Sequence, residues 1–190
     1  MTIPFNNPDR PNSYIGKTVP RPNATKLVQG RGRYVDDIVL PRMLHVAFSR
    51  SPLAHAKIGT IDLDEAKAVK GVVRIFTGAD LAEVCTPWVA VLAHLKGLKS
   101  PPEHPLAVDR VCWVGEPVVA VVANTRAAAE EAAALVVVDY EELPAVTDTM
   151  TALDKDTPII HPEKEDNLAF RRLHEEGAVD AAFPPAHKVV

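Results

Sequence analysis

The sequence predicts an α+β fold, and two observations carry that expectation. Two strand–helix–strand runs occur, at residues 54–77 and 117–140, with antiparallel hairpins between them. That arrangement gives α+β layering rather than a doubly wound parallel sheet. The second observation is Pro117-Val118-Val119-Ala120-Val121-Val122-Ala123, which shows no polar–apolar alternation and so belongs inside, covered on both faces.

The elements follow in chain order. Residues 1–26 lack periodicity and hold five prolines, which predicts an extended arm, because proline fixes φ and pushes its predecessor out of the helical region. Leu44 to Arg50 alternates as a strand with one buried face; Ser51-Pro52 interrupts it, and Ala54 to Asp62 resumes as a second strand. Asp64 is placed to cap a short helix that Gly71 ends. Val72 to Thr77 is β-branched and apolar, a third strand, and Gly78-Ala79-Asp80 leads into a helical stretch at Leu81 to Val84. Val89 to Leu98 has helical character, but the proline-rich Ser100 to Pro105 argues for an irregular excursion. Val108 to Val114 and Pro117 to Ala123 read as strands joined by a tight turn at Gly115-Glu116. Asn124 or Thr125 caps the alanine-rich helix Arg126 to Ala134, and Leu135 to Tyr140 returns as a strand. Beyond Pro144 the pattern decays, until Ala186 to Val190 resembles a strand cut off as it begins.

Composition narrows the function classes. The 190 residues are 47% hydrophobic and 24% charged, ordinary for one globular domain with or without a tail. At this size folding buries roughly 70% of the unfolded chain's surface. A net charge of −4 and a pI near 6.0 leave no basic footprint for nucleic acid or for an anionic membrane surface. No apolar run reaches ~18 residues, and the first residues lack the basic and apolar regions of a signal peptide, so a cytoplasmic location is expected. Seventeen prolines against 9 glycines point to extended connections, which suit either a segment lying across a partner or a solvated linker.

No catalytic or metal site assembles from the local chemistry of the sequence. Gly30-Arg31-Gly32-Arg33 lacks the preceding strand, following helix and third glycine of a phosphate loop, although both arginines are available to a partner. The seven histidines, His45, His55, His94, His104, His161, His174 and His187, form no metal-ligand spacing. His45 and His55 lie on consecutive strands as possible neighbours and read best as packing histidines. Ser49 and Ser51 have no triad context, Asp139-Tyr140-Glu141-Glu142 reads as a solvated strand end, and Glu130 and Glu131 as the outer face of a helix. Cys85 and Cys112 read as ordinary buried thiols. A small hydrolase lacks both nucleophile and base.

A family resemblance then enters on ordered motifs. They are Gly30-Arg31-Gly32-Arg33-Tyr34-Val35-Asp36-Asp37-Ile38, then Leu40-Pro41-Arg42-Met43-Leu44-His45-Val46-Ala47-Phe48, and Arg50-Ser51-Pro52-Leu53-Ala54-His55-Ala56-Lys57-Ile58. Gly71-Val72-Val73, Thr77-Gly78-Ala79-Asp80-Leu81, Pro105-Leu106-Ala107, Val114-Gly115-Glu116-Pro117-Val118 and Val138-Asp139-Tyr140-Glu141-Glu142-Leu143-Pro144-Ala145-Val146 follow in order. From about Tyr14 onward the chain resembles the opening of the large, molybdopterin-binding subunit of the xanthine dehydrogenase, aldehyde oxidase and carbon monoxide dehydrogenase family. Glu116 stands where many members have Gln, and Gly177-Ala178 where Gly-Asp is common.

The resemblance implies an α/β hammerhead, with a mixed sheet and two β-α-β units, over residues 27–147. An extended arm would precede it at 1–26, and 148–190 would be a linker leading into the molybdenum-cofactor domain. It implies a scaffold domain or split subunit of a molybdenum hydroxylase. That enzyme's partners would be a molybdenum-cofactor domain or subunit together with FAD and iron–sulfur subunits. Its cofactors would be a molybdenum-pterin (molybdopterin cytosine dinucleotide), 2Fe-2S clusters and FAD. No catalytic, cofactor-binding or metal-ligating residue carries over to this chain, and two cysteines fall short of a cluster's four thiolates. The other reading is a free-standing interaction module that reuses the fold without redox activity.

Overall fold

A computed structural model describes residues 14, 17–92, 94–174, 176–178, 181, 183–185 and 187–188, and the chain divides into two compact units, Met1–Met43 and Leu44–Val190. In the first unit, helix α1 (Ala24–Val28) is followed by one 3-10 turn at Val35–Asp37. The Asp37 carboxylate accepts the Tyr34 backbone N–H at 2.9 Å, which explains the Tyr-Val-Asp-Asp run as a capped turn. Most of the expected arm at 1–26 lies outside the described residues, and its last three positions are helical instead, because the chain is past Pro20 and Pro22 and starts a turn at Asn23. None of this unit's described residues is buried.

The second unit contains β1 (His45–Arg50), β2 (Ala56–Asp62), α2 (Asp64–Ala68), β3 (Val72–Thr77), α3 (Gly78–Ala82), β4 (Arg110–Val111), β5 (Pro117–Ala123), α4 (Arg126–Ala134) and β6 (Val137–Glu142). The strands form two three-stranded sheets, ordered β1-β5-β3 and β4-β2-β6. The α+β class and both strand–helix–strand units are present. Every pairing between the named strands is antiparallel, so two antiparallel sheets take the place of one mixed sheet. The reason is that each unit crosses over: α2 carries the chain from β2 in one sheet to β3 in the other, and α4 carries it back from β5 to β6. Likewise β4 and β5 do not pair as a hairpin. The turn between them passes through Gly115 at φ 88, a left-handed conformation that favours glycine, and changes sheets.

The core forms where these crossings converge. Val118, Val119 and Val121 of β5 are fully buried, as the missing alternation predicts, each contributing roughly 1.5–3 kcal/mol of apolar transfer. Helix α4 packs on β1 and β5 through Ala128, Ala129, Ala132 and Ala133. Ala56 and Val111 of the other sheet join the same cluster. Thr125, rather than Asn124, caps α4 by accepting the Ala128 N–H at 3.2 Å. The cap of α2 is also displaced: Asp64 lies in its first turn and donates its own N–H to the Asp62 carboxylate at 2.9 Å.

Helix α3 starts earlier than the sequence suggests, because Thr77 and Asp80 form a reciprocal capping box. The Thr77 backbone and hydroxyl donate to the Asp80 carboxylate, each at 2.7 Å, and hold it below the usual carboxylate range. No helix forms at 89–98 among the described residues; Trp88 and Glu103 instead exchange backbone hydrogen bonds of 2.7 and 2.8 Å across the proline-rich excursion. No described helix is long and apolar enough to cross a membrane. Of the expected terminal strand, Ala186, Val189 and Val190 lie outside the described residues, and His187 and Lys188 are not in a strand.

Gly78 shows why the Thr-Gly-Ala-Asp motif needs its glycine. A Cβ there would collide with the Ala107 carbonyl oxygen and come within 2.9 Å of the Val108 Cα. Glycine to alanine within a helix ordinarily helps stability. Here Gly78→Ala will instead cost about 1–3 kcal/mol, measured as a lower urea midpoint at an unchanged slope. A neutral or stabilising effect would contradict this packing.

Candidate functional site

Three of the sequence motifs, far apart in the chain, meet at one place. Residues 50–55, from the last residue of β1 up to the start of β2, lie against the turn at 112–116, between β4 and β5. The Gly115 N–H donates to the Ser51 carbonyl at 2.8 Å and the Ser51 N–H to the Glu116 carbonyl at 2.9 Å. The Arg50 guanidinium adds a bond of 2.9 Å to the Gly115 carbonyl. Ser51 is 2% exposed, and its hydroxyl closes a local turn by donating to the Leu53 carbonyl at 2.9 Å and accepting its N–H at 3.1 Å. Burial pushes up the phenol of Tyr140 on β6, opposed by the Ser51 hydroxyl.

The third motif, at the end of β6, closes the junction through His55. The imidazole is 5% exposed and its Nδ1 lies 2.8 Å from the Pro144 carbonyl, an acceptor, so Nδ1 carries the proton. The Leu143 N–H donates back to the His55 carbonyl at 2.9 Å. Nε2 is buried without a partner. His45 stands opposite Ala123 in the other sheet, so the two histidines expected as possible neighbours serve separate structural positions.

Beside this junction lies a cavity of about 500 Å³, with His104, Arg110, Cys112, Trp113, Glu116 and His161 among its lining residues. Glu116 shapes the turn from within, since its carboxylate accepts the Cys112 N–H at 2.6 Å. Burial pushes the Glu116 carboxyl above its ordinary range, opposed by the Cys112 and Trp113 N–H groups. The Cys112 thiol is pushed up to about 11, chiefly by burial and then by the Glu116 charge. Its Sγ lies 3.9 Å from the His161 Nδ1, a contact across the chain that spacing alone could not reveal.

The other singled-out residues stay dispersed. Glu130, Glu131, Asp139, Glu141 and Glu142 are exposed; Glu141 pairs with Lys57 at 2.8 Å on the neighbouring strand, a surface bond of small worth. Arg31 and Arg33 are exposed, and Ser49 lies within β1. Cys85 and Cys112 are both free and only half-buried, which corrects the expectation of buried thiols: one follows α3 at the surface and the other faces the cavity. Among the described residues no three His, Cys, Asp or Glu are grouped to hold a metal ion. With one thiol held protonated and four thiolates required, these residues do not fit an iron–sulfur cluster.

Two outcomes follow for the turn. A carboxyl whose folded pKa is raised favours folding below its unfolded pKa, and that contribution is lost as pH rises through the folded pKa. Glu116→Gln will therefore become more stable relative to wild type as pH rises from about 4 to 8, read as the difference in Tm; a flat or opposite trend excludes the buried-carboxyl account. Cys112, two pKa units above its ordinary value, will alkylate at pH 8 about a hundredfold more slowly in the folded than in the denatured chain, measured by mass spectrometry.

Comparison with known proteins agrees with the motif order. Residues 29–144 match the family model described as "Aldehyde oxidase and xanthine dehydrogenase, a/b hammerhead domain". The chain is 39% identical over 186 residues to the nicotine 6-hydroxylase large subunit of Paenarthrobacter nicotinovorans, covering 98% of this chain and 22% of that one. It is 38% identical over 143 residues to the carbon monoxide dehydrogenase large chain of Afipia carboxidovorans, covering 75% and 17%. Among solved structures, quinoline 2-oxidoreductase from Pseudomonas putida 86 superposes with a TM-score of 0.74 at 44% identity, covering 81% of this chain and 19% of that one. The chain thus spans about a fifth of the length of these relatives. It belongs to the aldehyde oxidase and xanthine dehydrogenase family, and the part that defines it is the a/b hammerhead domain.

Proposed function

We propose that this chain is a scaffold domain or split subunit of a molybdenum hydroxylase, supporting the cofactor-binding parts of the enzyme without being catalytic itself. The observation that carries this reading is where the match falls. Residues 29–144 enclose both sheets and α2 to α4, so the family match falls on one complete building block, within a chain that spans about a fifth of each relative's length. Inside that block the converging motifs spend their polar groups on one another: Ser51, His55, Gly115 and Glu116 bond to main-chain partners at the junction. Groups bonded to the main chain in this way hold the shape of the junction, and the one ring nitrogen left over, the His55 Nε2, is buried away from solvent.

On this reading residues 27–147 form the hammerhead and residues 148–190 lead toward the cofactor domain. The assembled enzyme hydroxylates an aldehyde or heteroaromatic carbon with oxygen derived from water, or oxidises carbon monoxide. Electrons pass to 2Fe-2S and FAD centres held by partner subunits, and the molybdenum-pterin sits in the partner domain. Substrate choice belongs to that domain as well.

The chain purified alone will retain no molybdenum by elemental analysis, show no flavin absorbance and turn over none of these substrates with an artificial electron acceptor. Stoichiometric molybdenum held by the isolated chain would overturn the proposal.

A further inference from the structure

We propose that the face of sheet β1-β5-β3 turned away from α4 is the docking surface for the remainder of a family large chain, carried on a separate polypeptide. This rests on the scaffold reading above and names the surface through which it acts. Strand alternation turns Ala47 toward α4 and leaves Val46 and Phe48 pointing the other way, 54% and 44% exposed. The register places Val46 beside Val122, and sets Phe48 and Phe76 on either side of Ala120, so the apolar stripe runs across all three strands. One face of this sheet is closed by the alanines of α4; the other is apolar at its centre and open at β1. Exposed apolar sheet of this kind marks an interaction surface.

Charge and length choose the occupant. Arg50 and Arg74 flank the stripe from opposite edge strands, each guanidinium lying over a phenylalanine ring, at 5.3 Å from Phe48 and 5.0 Å from Phe76. A complementary surface therefore has an apolar centre and carboxylates at its margins. A second copy meeting this one through the same face would bring cationic margins against cationic margins, which disfavours a symmetric pair. In the quinoline 2-oxidoreductase chain, the region like this one is 19% of the whole, so about four-fifths of such a chain remains to supply the matching surface.

The test uses the full chain, tagged and expressed in its own host, with molybdenum per chain and the co-purified polypeptides as readouts. Wild type is expected to bring down a molybdenum-bearing polypeptide at about one metal per chain. Phe48→Glu should lower that ratio at least tenfold with the circular dichroism spectrum unchanged. Arg74→Glu should also weaken retention, and Val35→Glu, on the smaller unit, should leave it intact. Should Phe48→Glu fail to fold, Val46→Gln and Arg74→Glu, at exposed positions, give the same reading. If wild type retains the molybdenum-bearing partner and the folded face variants retain it equally, the docking surface is wrong and the scaffold reading stands. If wild type recovers no molybdenum-bearing polypeptide, the scaffold reading fails and this proposal with it. A metal-free dimer that Phe48→Glu dissolves would assign the face to a second copy and overturn the proposal.

Discussion

The two sheets of the larger unit are joined by a seam of main-chain hydrogen bonds in which residues 50–55 lie against the turn at 112–116. This seam decides the rest of the architecture. A strand leaving it at Arg50 belongs to one sheet, and the strand starting at Ala56 belongs to the other. The same division holds across Gly115, between β4 and β5. Were these turns ordinary hairpins, consecutive strands would pair with each other. The seam instead satisfies the turn amides locally and frees each strand to find a distant partner.

The crossing helices then have a narrow space to fill, and their composition follows from it. Alanine on the buried face of α4 lets the helix approach β1 and β5 closely, while valine on β5 supplies the bulk of the core. The aromatic side chains play little part inside: Trp88 and Trp113 are both more than half exposed. A core of small aliphatic groups lacks polar atoms to organise chemistry, and the polar side chains that are buried, Ser51 and His55, are bound into the seam.

What could be read from the sequence depended on how local its cause was. Strand β1 announces itself by alternation, β3 and β5 by β-branched runs and α4 by alanine after Thr125, because pattern, propensity and capping act within a few positions. The start of α2 lies one residue, and that of α3 three residues, before the positions the sequence suggests, since the Asp62 carboxylate and a reciprocal box with Thr77 decide them. Sheet membership was not legible, because nothing local to Gly115 says that the strands on either side will part company. The junction was half legible: its motifs were recognised in order, but their meeting in space depends on pairings between residues about ninety positions apart, as His55 and Pro144 show. The contact between Cys112 and His161 left no trace in spacing at all.

The pairing scheme also bears on how the chain emerges from a ribosome. Strand β1 finds its only named neighbour in β5, and β2 pairs with β4 and β6, so adjacent strands in sequence offer each other nothing. The first sheet cannot close until residue 123 has been made, and the second is incomplete until residue 142. Loop closure over such distances is slow compared with local helix formation. During synthesis the nascent β1 therefore waits unpaired, with its apolar side chains exposed, for most of the domain's translation, and α4 is among the few elements able to form as it appears.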